Sequence, residues 1–123
     1  MSGKIVIRAY SLYLDDESKP EEAEYHFAYT IEIENGLAHS VQLLERHWLI
    51  TDANGQRHEV QGVGVVGEQP HIAAGESYAY NSGVHFRTPL GFMEGSYTFQ
   101  DADGNLFDES IPLFTLAMPH LFH

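Results

Sequence analysis

Residues 24–35 read EYHFAYTIEIEN. Tyr25, Phe27, Tyr29, Ile31 and Ile33 alternate with Glu24, His26, Ala28, Thr30, Glu32 and Glu34. Successive side chains of an extended chain point to opposite faces, so this pattern predicts a long half-buried strand, apolar on one side and largely acidic on the other. The same period of two continues in both directions. Upstream, KIVIRAYSLYL (4–14) puts Ile5 and Ile7 on one face, with Arg8 as its internal charge. Downstream, SVQLLERHWLITD (40–52) groups Leu44, Trp48 and Ile50 on one face, with Arg46 between them. Asp52-Ala53-Asn54-Gly55 supplies a hairpin turn, and QRHEVQGVGVV (56–66) returns. ESYAYNSG (76–83) places Tyr78 and Tyr80 together, and GSYTFQDADGNLFDESI (95–111) reads as two strands around an Asp103-Gly104 turn.

No stretch of helical length carries a 3.6-residue stripe. DESKPEEAE (16–24) is charged and broken by Pro20, which predicts a loop or one helical turn, and TPLGFMEG (88–95) reads as a loop. Seven or eight short strands around one core predict an all-β fold. The form expected is an antiparallel two-sheet sandwich, fibronectin type III-like or immunoglobulin-like, with a small barrel as the alternative. A chain of 123 residues sets one domain as the expectation and buries roughly two-thirds of its unfolded surface. Trp48, the single tryptophan, is expected in the core.

Six Lys and Arg against 18 Asp and Glu give a net charge of −12. The cations form no stripe, so a nucleic-acid partner is not expected. There is no cysteine, which removes disulfides and thiolate chemistry. The N-terminus lacks the apolar core of a signal peptide, and no apolar run approaches the roughly 20 residues of a membrane helix. The expectation is a cytoplasmic protein with no membrane association.

Many short motifs stand in sequence order. They are Arg46-His47-Trp48, the Asp52-to-Gly55 turn, Gly62-to-Pro70, Gly75-Glu76-Ser77, Ser82-Gly83, Thr88-Pro89, Gly91 and Met93-to-Tyr97, with IPLFTLAMPHLFH at the end. In this arrangement the chain closely resembles the bacterial ApaG proteins, also called CorD, along nearly its whole length. The resemblance implies a single ApaG domain over 1–123 with a fibronectin-III-like sandwich. It also implies an association with cobalt and magnesium tolerance and with diadenosine-tetraphosphate hydrolysis, and, from the domain's eukaryotic occurrences, a protein-interaction role. It carries over no catalytic residue.

Gly62, Gly64 and Gly67 spell G-x-G-x-x-G, the lettering of a dinucleotide loop. Such a loop needs a preceding parallel strand and a following helix. Here β-like segments flank it, Glu68 follows, and no Lys or Arg lies between Arg57 and Arg87. The glycines are therefore expected to serve the backbone, with Val65 and Val66 packing. DADGNLFDE (101–109) has the Asp101, Asp103 and Asn105 of a calcium loop, but Leu106 and Pro112 stand where the EF-hand needs Gly and Glu. The eight histidines give no metal spacing, although His120 and His123 sit in a tail that could hold a divalent ion weakly. His47 should point away from the core. Ser77, Ser82 and Ser96 lack a nucleophile elbow.

The expected function is therefore a non-enzymatic protein-interaction domain with no cofactor and no metal. Its partner is an unidentified protein, and a weak homo-oligomer is compatible with the composition. The candidate interaction surface is Glu68, Gln69, Pro70, Thr88, Pro89 and Glu94. The alternative is a small-ligand protein for a nucleotide, a pyrophosphate or a divalent cation. A hydrolase accessory ranks third.

Overall fold

The computed structural model describes residues 3–121. Eight strands follow in order: β1 (Ile5–Tyr13), β2 (Tyr25–Asn35), β3 (Val41–Asp52), β4 (Arg57–Val63), β5 (His71–Ile72), β6 (Ser77–Phe86), β7 (Leu90–Asp101) and β8 (Leu106–Ala117). One turn of 3-10 helix, Pro20–Glu22, lies in the acidic loop before β2. Every strand pairing is antiparallel. The smaller sheet has the order β1-β2-β6, and the larger has β4-β3-β7-β8, with β5 extending the β4 side of β3. This is the two-sheet, fibronectin type III-like sandwich rather than the small barrel.

β2 forms as its alternation requires. Phe27, Tyr29, Ile31 and Ile33 are buried, and the intervening residues face out. Opposite them on β7 lie Met93, Tyr97 and Phe99. Trp48 is 3% exposed and meets Tyr29, Tyr97 and Phe114 edge-on at centroid distances of 5.7, 6.3 and 6.0 Å. It pairs in register with Gly95, where an added Cβ would lie 1.9 Å from the His47 carbonyl oxygen. The hydroxyls of Tyr80 and Tyr97 meet across the core and join the two sheets.

Two turns share one chemistry. Asp52 and Asp101 each accept two backbone amides with Oδ1, from Asn54 and Gln56 and from Asp103 and Asn105. Gly55 and Gly104 then take φ of +81° and +84°. The Asp101 carboxyl is held below its ordinary range, first by the Asn105 amide. DADGN is thus the β7–β8 hairpin turn, built like DANGQ.

Three expectations need correction. Residues 88–95 are not one loop, because β7 starts at Leu90 and glycines at 91 and 95 permit close approach within a strand. Phe86 of the other sheet fills the space a side chain at Gly91 would take, 2.3 Å from an added Cβ. Leu44 does not share the face of Trp48 and Ile50: a bulge between Leu43 and Glu45 makes Leu43 the buried residue. β8 runs past Pro112, since a register shift between Met93 and Gly95 places a bulge in this edge strand, where proline's missing N–H is tolerated.

Trp48→Ala should cost about 3–5 kcal/mol in chemical denaturation, because the site cannot collapse around the lost ring. Burial pushes the Tyr80 and Tyr97 phenols well above their ordinary range. Both hydroxyls stay protonated in the fold but ionise near pH 10 in the unfolded chain. Their contribution is therefore complete below about pH 10 and declines as pH rises beyond it. Unfolding monitored against pH should show stability falling there, and the fall should be smaller in the Tyr80→Phe/Tyr97→Phe double variant. Tyr97→Phe alone should cost about 1–3 kcal/mol by orphaning the Tyr80 hydroxyl.

Candidate functional site

The sandwich has two flanks. Along one, β1 runs beside β8, and Ser11 Oγ donates to the Thr115 carbonyl at 3.0 Å. Along the other, β4 and β6 are the terminal strands of their sheets, with no strand beyond them among the described residues. The loop 64–70 closes one end of this second flank.

The closure starts from the β3 bulge. It turns the Leu44 carbonyl toward the loop, where it accepts Gly64 N at 2.7 Å and Gln69 Nε2 at 3.0 Å. Arg46 stands in register with Gly62 on one side and buried Tyr97 on the other, so its side chain leaves β3 on the inner face. Its Nη1 donates to Val63 O at 3.1 Å and Gly64 O at 2.9 Å. A Cβ on Gly62 would lie 2.7 Å from that guanidinium, so glycine is what lets the cation lie there. Val65 and Glu68 exchange backbone hydrogen bonds of 2.8 and 2.9 Å, which fold the tip. Val65 is fully buried and plugs the flank. Tyr78 of β6 donates to Glu68 Oε2 at 3.0 Å, and Leu43 N donates to Pro70 O at 3.0 Å.

The glycine motif therefore has a backbone account at each position. Gly64 has φ +64°, and a Cβ there would lie 2.1 Å from the Glu68 carbonyl oxygen. Gly67 has φ +82° and open space around it. A strand precedes the loop and the short β5 follows, so the loop does not open into a helix. The amides of Gly64, Val65 and Glu68 are bonded within the fold. Val66 departs from expectation: it is 55% exposed rather than packed, and it holds φ +43°.

The six expected surface residues do not come together. Glu68, Gln69 and Pro70 sit by the start of β3. Thr88 and Pro89 sit by its end, roughly 30 Å away at about 3.3 Å per strand residue. Thr88 is 8% exposed, and its hydroxyl accepts Ala53 N at 3.1 Å and donates to Leu90 O at 2.7 Å. It clamps the β3–β4 turn to the start of β7. Pro89 O accepts Met118 N at 2.9 Å. Glu94 lies on the outer face of the larger sheet, in a shallow groove with His47, Ser96 and Ser110.

His47 does face outward, and its Nε2 is 3.4 Å from Glu59 Oε2. That is ion-pair range without hydrogen-bond alignment, and Nε2 is shielded from water. The serines are dispersed: Ser77 and Ser82 on β6, Ser96 on β7. Ser82 stands in register with Tyr29, whose phenol burial raises above its ordinary value. Among the described residues no three His, Asp or Glu side chains gather as metal ligands. His123 lies outside the described residues. No described helix is long and apolar enough to cross a membrane.

Sequence reasoning named the glycines but missed Arg46 as the residue that holds them. It also missed Asn35, which is fully buried. Asn35 Nδ2 donates to the His39 and Ile72 carbonyls, both at 2.9 Å, and so ties the β2–β3 turn to β5.

The ApaG domain family model matches residues 15–101. The chain belongs to the ApaG domain family. It is 52% identical over 122 residues to Protein ApaG of Proteus mirabilis, covering 99% of this chain and 98% of that one. It is 51% identical over 122 residues to Protein ApaG of Klebsiella pneumoniae, with the same coverage. The crystal structure of an ApaA protein from Bordetella pertussis superposes with a TM-score of 0.92 at 40% identity over 95% of both chains. ApaG membership thus joins a sequence likeness over nearly the whole length to the same fold.

Gly64→Ala should destabilise the ApaG fold by more than 2 kcal/mol, since alanine meets both a strained φ and a carbonyl oxygen (order of magnitude, about 1 kcal/mol from φ alone). Gly67→Ala should cost only about 1 kcal/mol. Equal costs in urea denaturation would contradict the geometry of the Glu68 contact.

Proposed function

We propose that this ApaG domain is a non-enzymatic protein-interaction module that presents the loop 64–70 to a partner. One observation carries the reading. Val66, a β-branched residue, is held at φ +43° with its side chain exposed at the loop tip. Such a conformation costs on the order of 1–3 kcal/mol and persists only where the surroundings over-determine it, as at ligand clamps. Here Arg46, Leu44 O, Gln69 and Tyr78 supply that determination from behind.

The result is a rigid apolar tip. Val63, 68% exposed, ends β4 where the loop begins, and Glu68 and Gln69 form a polar rim. A pre-ordered loop loses little conformational freedom on association, which favours binding. An apolar centre with polar margins is the composition of an interface patch. The reading takes the partner to be cytoplasmic, and a chain without cysteine is unaffected by reducing conditions there.

A photo-crosslinking residue at Val63 in growing cells tests this. The expected result is a discrete higher-mass protein adduct that disappears with Val66→Asn, a residue that accepts the left-handed backbone, while the melting temperature holds or rises. An adduct pattern shared with the same probe at exposed Asp16, or indifferent to Val66→Asn, overturns the reading.

A further inference from the structure

The flank that the loop closes at one end is open at the other. There a cleft of about 500 Å³ lies between the β4 and β6 edges, with Val84 and Phe86 in its lining and Arg57, His58, His85 and Arg87 around it. Two of the six Lys and Arg residues of a chain with net charge −12 thus meet at one place. Both are exposed. Among the described residues, neither has a carboxylate within ion-pair range. By contrast, Arg8 pairs with Glu32 and Glu34, Lys19 with Glu22, and Arg46 with two carbonyls. Asp52 also lines the cleft, but its Oδ1 is engaged by the Asn54 and Gln56 amides of its own turn. His26 stacks on His85 at 4.6 Å, adding a third imidazole near the rim.

The edge itself offers a second kind of valency. β6 spans ten residues, Ser77–Phe86, and among the described residues pairs with β2 alone. A terminal strand turns the backbone N–H and C=O groups of alternate residues outward, where an extended chain can pair with them. A small phosphate-bearing ligand would satisfy the arginines but leave this edge and the apolar lining unused.

We propose that an acidic, extended segment of a partner protein adds to the free edge of β6. In that position it seats an apolar side chain against Val84 and Phe86 and pairs carboxylates with Arg57 and Arg87. This rests on the interaction reading above and supplies the partner's chemistry. Both features belong to one flank, since Arg57 opens β4 and Val63 ends it, roughly 20 Å apart at about 3.3 Å per residue.

The test is a titration of the isotope-labelled full chain with the synthetic peptide Glu-Asp-Val-Asp-Ile-Glu-Asp, capped at both ends, read by amide chemical shifts. Shift changes are expected along residues 57–63 and 77–87, weakening as salt rises. Arg57→Glu and Arg87→Glu should each weaken binding on the order of ten-fold without lowering the melting temperature. Arg8→Glu, which subtracts the same charge on the far strand β1, should leave affinity nearly unchanged. A peptide with Lys at the acidic positions should leave the spectrum unmoved. Silence with the acidic peptide overturns the proposal. So do shifts on the other sheet face, an Arg8→Glu effect equal to that of Arg57→Glu, or inorganic pyrophosphate moving the two arginines where the peptide does not. A Val63 crosslink that persists when the peptide is silent removes this proposal alone, whereas loss of both removes the interaction reading as well.

Discussion

The guanidinium of Arg46 over the bare Cα of Gly62 is the contact that fixes the β4–β6 flank of this ApaG domain. A two-sheet sandwich must cover its flanks or leave its core wet. On the β1–β8 side the strands do this themselves. On the β4–β6 side they stand apart, and a loop is drawn across instead. Arg46 reaches that loop only because β3 carries it on the inner face and Gly62 has no side chain to obstruct it. With its carbonyls held by Arg46 and its amides held by Leu44 and by its own turn, the loop sets Val65 inward as a plug and Val66 outward as a tip.

The bulge in β3 is the second half of the same device. One extra residue between Leu43 and Glu45 reverses the alternation. Val41 and Leu43 are buried before it, and Trp48 after it, although their spacing is odd. The dislocation also aims the Leu44 carbonyl sideways, where it serves both Gly64 and Gln69. Core packing and loop anchoring therefore share one backbone irregularity.

Surface charge follows the same division. Arg8 lies among carboxylates on the outer face of the smaller sheet, where exposed pairs contribute little stability. Among the described residues, Arg57 and Arg87 stand apart from any such partner at the open end of the flank, beside an apolar lining and a strand edge. On a strongly acidic chain the two form a local concentration of positive charge, on the flank whose other end the loop closes.

The order and alternation of residues by themselves determined the class of fold and much of its detail. β2 needed no tertiary information, because five apolar residues at a period of two admit only one half-buried strand. The DANG and DADG turns were legible because an aspartate capping its own turn and a glycine at positive φ are local chemistry. The burial of Trp48 and the backbone use of Gly64 and Gly67 were legible on the same grounds. Tertiary structure alone decided the rest. That Leu43, not Leu44, is buried depends on a bulge matched to a partner strand. That Leu90 opens a strand depends on Phe86 of the other sheet filling the space over Gly91. Thr88 and Glu68 look alike as polar loop residues, yet one is a clamp and the other part of a rim, because they fall at opposite ends of β3. The gathering of Arg57 with Arg87 arises only when two sheets stack, since charges thirty positions apart meet through packing and no local pattern records it.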